Sequence, residues 1–181
     1  TQVENQISNM NNLLPGDPLV NPKLNVIFSK LVNLKLQMIT ANSESQIATE
    51  IINIAKANNN VLDAKKILDS KTQLMAQAND AISKEHALVE KNNAQDALDK
   101  TKKTAEKVIS IAKQNISDSH TEATKMKTAD KLEASVKETV QKKNPKMAQK
   151  AEKVISAVVT NAKKSTIQGS APPHAAKVVK A

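Results

Sequence analysis

Residues 61–89, VLDAKKILDSKTQLMAQANDAISKEHALV, carry two neighbouring columns of apolar side chains, each with a seven-residue repeat. The two columns are Ile67, Leu74, Ala81 and Leu88, and Val61, Leu68, Met75, Ile82 and Val89. Because seven residues make about two turns of an α-helix, each column lies along one side of a helix. The stretch therefore predicts one long helix with a broad apolar face, suited to packing between neighbours in a bundle.

The wider chain has the composition of a helical protein. Glycine and proline are both missing from residues 23–144, whereas a β-sheet protein would need frequent turns there. The 181 residues are mostly Ala, Leu, Ile, Val, Lys, Asn, Gln, Glu and Thr, a set typical of amphipathic helices, and are enough for one domain with a core. We therefore predict an all-α protein, a single elongated bundle of about five to seven amphipathic helices.

The bundle is expected to occupy residues 1–164, with a flexible or extended tail over residues 165–181, where Gly169 and two prolines end regular structure. Charge divides the chain unevenly. Residues 1–90 hold 8 lysines and 9 acidic residues, whereas residues 91–181 hold 19 lysines and 9 acidic residues. The sequence thus predicts a near-neutral half, 1–90, and a lysine-rich half, 91–164, within the bundle.

Two serines stand in the pattern of a capping box, in which a serine is followed three residues later by Glu or Gln. Ser43 precedes Gln46, and Ser119 precedes Glu122. In such a motif the two side chains bond to the free backbone N–H groups of a first helical turn. Each serine is therefore expected to begin a helix.

Other residues suggest where helices begin or end. Pro22 is suited to the first position of a helix. The run Asn58-Asn59-Asn60 is expected to end a helix, and the apolar repeat slips at residues 91–93, which predicts a kink or turn. A further break is expected at Asn144, since the residue before a proline avoids helical backbone angles.

Apolar residues at helical spacing form stripes along most of the predicted helices, and these have two interpretations. They pack against one another as the bundle core, or the helices open and lie with these faces on an apolar ligand or a lipid surface. The residues assigned to this core or ligand surface are Leu24, Ile27, Phe28, Leu31, Met38, Ile51, Leu68, Met75, Ile82, Val108, Ile109, Val154 and Ile155.

One hexapeptide, AEKVIS, occurs twice, at residues 105–110 and 151–156. Helical repeat proteins show comparable periods. Two amphipathic helices written in the same restricted set of residues also match by composition. A true internal repeat and a chance match both fit the sequence.

In gross outline the chain is similar to the exchangeable insect apolipoproteins. It has no cysteine and a single aromatic residue, Phe28, and it is near their size and rich in amphipathic helices. The resemblance rests on composition over the whole chain, without a shared motif, and implies binding to a lipid surface. The net charge of +9 departs from that pattern.

The lysines of the last predicted helices suggest a second kind of partner. Base recognition relies on arginine and on aromatic stacking, and the chain has no arginine and one aromatic residue. Sequence-specific nucleic-acid binding is therefore not expected. A polyanion such as a glycosaminoglycan could dock on lysines alone, and the residues assigned to it are Lys142, Lys143, Lys146, Lys150, Lys153, Lys163 and Lys164.

The sequence contains no candidate residues for catalysis or for metal binding. His86, His120 and His174 lie far apart, and none has a second histidine four residues away on its helix face. No serine is set beside a recognisable base, and two glycines cannot build a phosphate-binding loop. We expect no enzyme activity, no cofactor and no metal site.

The leading hypothesis from the sequence is a secreted, non-catalytic helical bundle that binds an apolar ligand or a lipid surface. One alternative is a structural or adhesive surface protein that docks on a polyanion. Another is a self-assembling coiled coil, suggested by the seven-residue columns, and the oligomeric state is left open. The first residue is Thr1, which favours a processed, extracellular protein, with a cytoplasmic protein trimmed at its terminus as the alternative.

Overall fold

A computed structural model describes residues 1–9 and 22–168, with side chains as far as residue 164. In these ranges the backbone forms helices and no strand, which confirms the predicted all-α bundle. Residues 165–168 continue the last helix, and the rest of the predicted tail lies outside the described residues. The helices are α1 (Gln2–Ser8), α2 (Pro22–Gln77), α3 (Ala81–Met126), α4 (Ala129–Lys143) and α5 (Pro145–Gln168).

Contacts divide the chain into two compact units. Unit 1 comprises Thr1–Ala41 and Glu122–Ala181, and unit 2 comprises Asn42–Thr121. Helix α2 therefore contributes its first part to unit 1 and the remainder to unit 2.

Unit 1 packs α1, the beginning of α2, α4 and α5 around one aliphatic core. The only aromatic residue, Phe28, is fully buried in it. Helix α5 buries residues three, four and seven positions apart, such as Ala151, Val154 and Val158, so that one face meets the core and the other meets water. The core residues are Val3, Ile7, Leu24, Phe28, Leu31, Val32, Leu132, Val136, Val140, Met147, Ala151, Val154, Ile155, Val158 and Val159.

Unit 2 is a hairpin of two antiparallel helices, the second part of α2 and most of α3. Near the turn, Lys71 Nζ lies 2.9 Å from Glu90 Oε2, and far from the turn Ser43 Oγ lies 3.2 Å from Ser119 Oγ. The least exposed positions of α2 alternate in steps of four and three residues, which is the spacing of a coiled-coil seam. In α2 these positions are Ser43, Ile47, Glu50, Ile54, Ala57, Val61, Ala64, Leu68, Lys71 and Met75. Asn53 is half-buried outside this spacing, and Ala78 continues the spacing just after the helix ends.

The α3 side of this seam is built largely from alanine. Ala94, Ala105 and Ala112 are buried, and Leu98 is the one large aliphatic residue of α3 that is buried with them. Small side chains allow two helix backbones to come close together. The α3 side of the hairpin thus buries little aliphatic bulk.

The stretch 61–89 does not form one helix, so that prediction is wrong. Helix α2 ends at Gln77 and α3 begins at Ala81. Asp80 caps the new helix, because its carboxylate accepts the backbone N–H of Ser83 at 2.7 Å and the Ser83 hydroxyl at 2.6 Å. The turn divides both apolar columns between two antiparallel helices.

Several other predicted helix ends are also wrong. Ser43 lies inside α2 and Ser119 inside α3, and both are buried in the seam. Helix α2 continues without a break through residues 58–60, and α3 continues through residues 91–93. The three asparagines of 58–60 are exposed to water while the neighbouring Ala57 is buried, so packing outweighs a small loss in helix propensity. The helix start at Pro22 and the break at Asn144 are confirmed.

Candidate polyanion-binding surface

Net charge follows the two units closely. Unit 2 contains 11 of the 27 lysines and 11 of the 18 acidic residues, so its formal net charge is zero. Unit 1 contains the other 16 lysines and 7 acidic residues and therefore carries the whole net charge of +9. A polyanion is attracted to net positive charge, so unit 1 is the part of the chain in which to look for its site.

The corner between α4 and α5 is held by Asn144, whose side chain is buried. Its Nδ2 donates to the backbone carbonyl of Ile7 at 3.1 Å, and its Oδ1 accepts from the backbone N–H of Met147 at 3.3 Å. Its own backbone N–H donates to the carbonyl of Val140 at 2.7 Å. One residue therefore ends α4, caps α5 and ties both to α1.

Exposed lysines surround this corner and continue along α5. Lys146, Lys150, Lys153 and Lys164 are all exposed, and they are spaced by four, three and eleven residues. Since a helix turns by about 100° per residue, this spacing places all four on one face, opposite the buried face of α5. At about 1.5 Å per residue the row extends over roughly 27 Å. We call these four residues the lysine row.

Acidic side chains are scarce beside the row. Glu152 is the only acidic residue in α5, which contains five lysines. Among the described residues no salt bridge involves a member of the lysine row. The row is therefore a line of positive charge with little local neutralisation, which suits it to an extended anionic partner.

Lysines of α4 are placed differently, because two of them bind glutamates one turn away. Lys142 Nζ lies 2.8 Å from Glu138 Oε1, and the hydrogen bond from Lys142 lowers the pKa of that carboxyl. Lys137 Nζ lies 2.7 Å from Glu133 Oε1. The lysine hydrogen bond is the largest cause of the lowered pKa of Glu133, followed by a hydrogen bond from Ser156.

The seven lysines predicted to contact a polyanion are thus not equivalent. Lys146, Lys150, Lys153 and Lys164 form the row, and Lys143 is exposed at the end of α4. Lys142 is exposed but paired with Glu138, and Lys163 is half-buried. The sequence predicted the lysine face, whereas the pairing of Lys142 depends on side-chain positions.

The thirteen residues predicted as core or apolar-ligand surface are not brought together. Five lie in the core of unit 1: Leu24, Phe28, Leu31, Val154 and Ile155. Partly buried are Ile27, Leu68, Met75 and Ile109, and exposed are Met38, Ile51, Ile82 and Val108. The set therefore contains packed, seam and surface residues, without a common cavity.

A shallow, open groove of mixed apolar and polar lining lies instead beside the turn of unit 2. It has a volume of about 490 Å³, and Leu74, Ala78, Ile82 and Ala87 line it together with four polar residues. Of the predicted set only Ile82 contributes. Sequence reasoning missed this groove, and the signal that could have revealed it is Asn79-Asp80, a pair that favours turns.

Residues 1–9 and 22–168 contain neither a metal-binding cluster nor a membrane-spanning helix. No group of three His, Asp or Glu side chains is placed to hold a metal ion there. None of the helices in these ranges combines the length and apolarity needed to cross a bilayer. His174 lies outside the described residues.

Known proteins offer no guide to this surface. Comparison of the chain with protein-family models, curated proteins and solved structures finds no match. The lysine row is therefore interpreted from its own charge and geometry.

Proposed function

We propose that this chain is a non-catalytic helical protein that docks on a polyanion through the lysine row of unit 1. The observation that carries the proposal is the division of charge, +9 in unit 1 and zero in unit 2. Attraction between the row and sulfate groups needs neither arginine nor aromatic stacking. It therefore suits a chain that has no arginine and only one aromatic residue. We take a sulfated polysaccharide as the class of ligand.

Rigid support strengthens the proposal. Helix α5 is held on its buried side by Val154, Ile155 and Val159, and at its beginning by Asn144. The lysine side chains themselves stay in water, so binding would not require removal of buried charge. A row fixed on a packed helix presents its charges at a constant spacing to a polymer chain.

An apolar ligand or lipid surface, the first expectation from the sequence, has less support. The strongest apolar stripes, around Phe28 and Val154, are already covered within unit 1. Helices that lie on membranes usually add tryptophan or phenylalanine, and the sole phenylalanine is buried. An open helix arrangement would therefore have to break a packed core.

Heparin-affinity chromatography of the full chain tests the proposal. The test variant replaces Lys146, Lys150 and Lys153 with glutamine, and the control replaces Lys100, Lys103 and Lys107, three exposed lysines on one face of α3 in unit 2. Both remove three charges. We expect the α5 variant to elute at clearly lower salt than the wild type and the control to elute close to it, because attraction is local at moderate salt.

Two results would overturn the proposal. One is an equal loss of retention in both variants, which would mean that only total charge matters. The other is co-flotation of the wild type with zwitterionic vesicles, which have no net charge, without retention on heparin. That outcome would favour lipid binding.

A further inference from the structure

The turn of unit 2 is surrounded by large aliphatic side chains that lie outside the seam. Ile67, Leu74, Ile82, Leu88 and Val89 are all about half-exposed or more, and Ile82 reaches 81%. They fall within residues 67–89, which we call the hairpin end. Single exposed aliphatic residues are ordinary on a protein surface, whereas neighbouring ones, such as Leu74 and Ile82 beside the same groove, are a feature of interaction sites.

Exposure of this kind is concentrated in unit 2. Ten of the thirteen large apolar residues described as exposed belong to it, and only three to unit 1. Two helices can cover each other along one stripe only, so a second apolar stripe stays open unless further helices pack on it. Among the residues that the structure describes, the large aliphatic side chains of the hairpin end therefore stay exposed.

Charge indicates which partner fits. Residues 63–91 contain five lysines and five acidic residues, so the hairpin end and its surroundings are neutral. An anionic lipid or a polyanion gains little attraction there. Another copy of this chain would be repelled by the charge of +9 on unit 1 but meets no net repulsion at unit 2.

The spacing of apolar residues in the hairpin end also favours a second copy of this chain as the partner. Ile67 and Leu74 are seven residues apart on α2, as are Ile82 and Val89 on α3, and the groove between Leu74 and Ile82 is open. A second hairpin end would bring two more helices with the same seven-residue apolar spacing, which allows side chains of one to fill spaces of the other.

We propose that two copies of this chain associate through their hairpin ends and form a local four-helix arrangement that buries Leu74 and Ile82. This interface goes beyond the proposed polyanion binding and uses different residues, so either can fail without the other. Since the contact is apolar, added salt should not weaken it, in contrast to docking by the lysine row.

Sedimentation equilibrium of the full chain at high salt tests the interface. We expect the wild type to approach twice its monomer mass as concentration rises. In the double variant Leu74→Gln, Ile82→Gln, the dissociation constant of the dimer should be roughly tenfold higher than in the wild type, or more. The control is Val26→Gln, a residue of unit 1 that is 53% exposed, close to the 50% of Leu74. Circular dichroism checks that all variants stay helical.

A chemical probe gives a second readout, because the chain has no cysteine of its own. Ile82→Cys should give a covalent dimer with a short bis-maleimide linker, and Val26→Cys should give much less. A wild type that stays monomeric at every concentration, a double variant that associates like the wild type, or equal linkage at both cysteines would each overturn the proposal. So would a monomer that binds zwitterionic vesicles through Leu74 and Ile82.

Discussion

The hydroxyl oxygens of Ser43 and Ser119 lie 3.2 Å apart, one from each helix of the unit 2 hairpin. Both serines are buried, and the Ser119 hydroxyl also contacts Gln46 Oε1 at 2.9 Å. These residues resemble helix caps in sequence, but in the fold they form a polar layer across the seam. A buried hydroxyl that keeps its partner contributes modestly, whereas one that loses its partner is costly.

A double-mutant cycle should therefore show coupling between these serines. We expect Ser43→Ala and Ser119→Ala each to lower the free energy of unfolding, and the double variant to lose less than their sum, with a coupling of about 0.5–1.5 kcal/mol. Urea denaturation measures it. The control cycle uses Ser45 and Ser117, exposed serines on the same helices, and should show no coupling. Equal coupling in both cycles would contradict the prediction.

The small buried side chains of the seam should make unit 2 sensitive to added bulk. Ala112 is buried at 1% exposure, so Ala112→Leu is expected to destabilise the hairpin by about 1–3 kcal/mol through overpacking. Thermal unfolding followed by circular dichroism is the measurement. Ala97→Leu, an exposed position on the same helix, makes the same chemical change and should be nearly neutral. A stable Ala112 variant would mean that the helices are not closely packed there.

The core of unit 1 should be vulnerable at its one aromatic residue. Phe28 is fully buried, and Phe28→Ala is expected to cost about 3–5 kcal/mol because it leaves a cavity. If that variant does not fold, Phe28→Leu can be measured instead, and it should lower the free energy of unfolding by a smaller amount. Val26→Ala, two residues away and exposed, is the control. Urea unfolding that gives equal losses at both positions would contradict the described core.

Glu133 should make unit 1 sensitive to acid. Hydrogen bonds from Lys137 and Ser156 hold its pKa below the ordinary 4.5, so the ionised form is favoured in the folded state. Its contribution is therefore present above about pH 4.5 and lost as the pH falls through the lowered value.

Glu133→Gln tests this dependence. At pH 7 the variant is expected to be less stable than the wild type by about 0.5–1 kcal/mol, a small value because the pair is partly exposed. The difference should be smaller at pH 3 than at pH 7, because pH 3 lies below the ordinary pKa of 4.5. Glu152→Gln, an exposed glutamate of α5, should show a smaller difference at both pH values. If the difference in free energy of unfolding between the wild type and Glu133→Gln did not change with pH, the ion pair could not be its cause.

Sequence patterns predicted the helices of unit 1 better than those of unit 2. The stripe Leu24, Phe28 and Leu31 and the stripe Val154 and Ile155 are both buried, and the break at Asn144 is present. These segments are amphipathic helices whose apolar side must be buried, so the periodicity of apolar residues indicates the buried face. Lysine spacing likewise indicated the exposed face of α5.

The repeated hexapeptide AEKVIS shows why the rest could not be predicted. Val108 of the first copy is 36% exposed, whereas Val154 of the second is 1% exposed. Six identical residues are thus covered to different extents, because α5 packs in a four-helix unit and α3 packs in a hairpin. Asp80 caps the helix that begins after the hairpin turn, and beyond that turn Ile82, Leu88 and Val89 from the two apolar columns are exposed.

The separation of charge between the units has a kinetic consequence. Long-range attraction speeds diffusional encounter with an oppositely charged surface, and only unit 1 can provide it. The association rate with a polyanion should therefore fall steeply with ionic strength. Neutral unit 2 gives no such acceleration, so pairing of hairpin ends should begin at an ordinary, nearly salt-independent rate. Docking by the lysine row would then precede pairing when both partners are dilute.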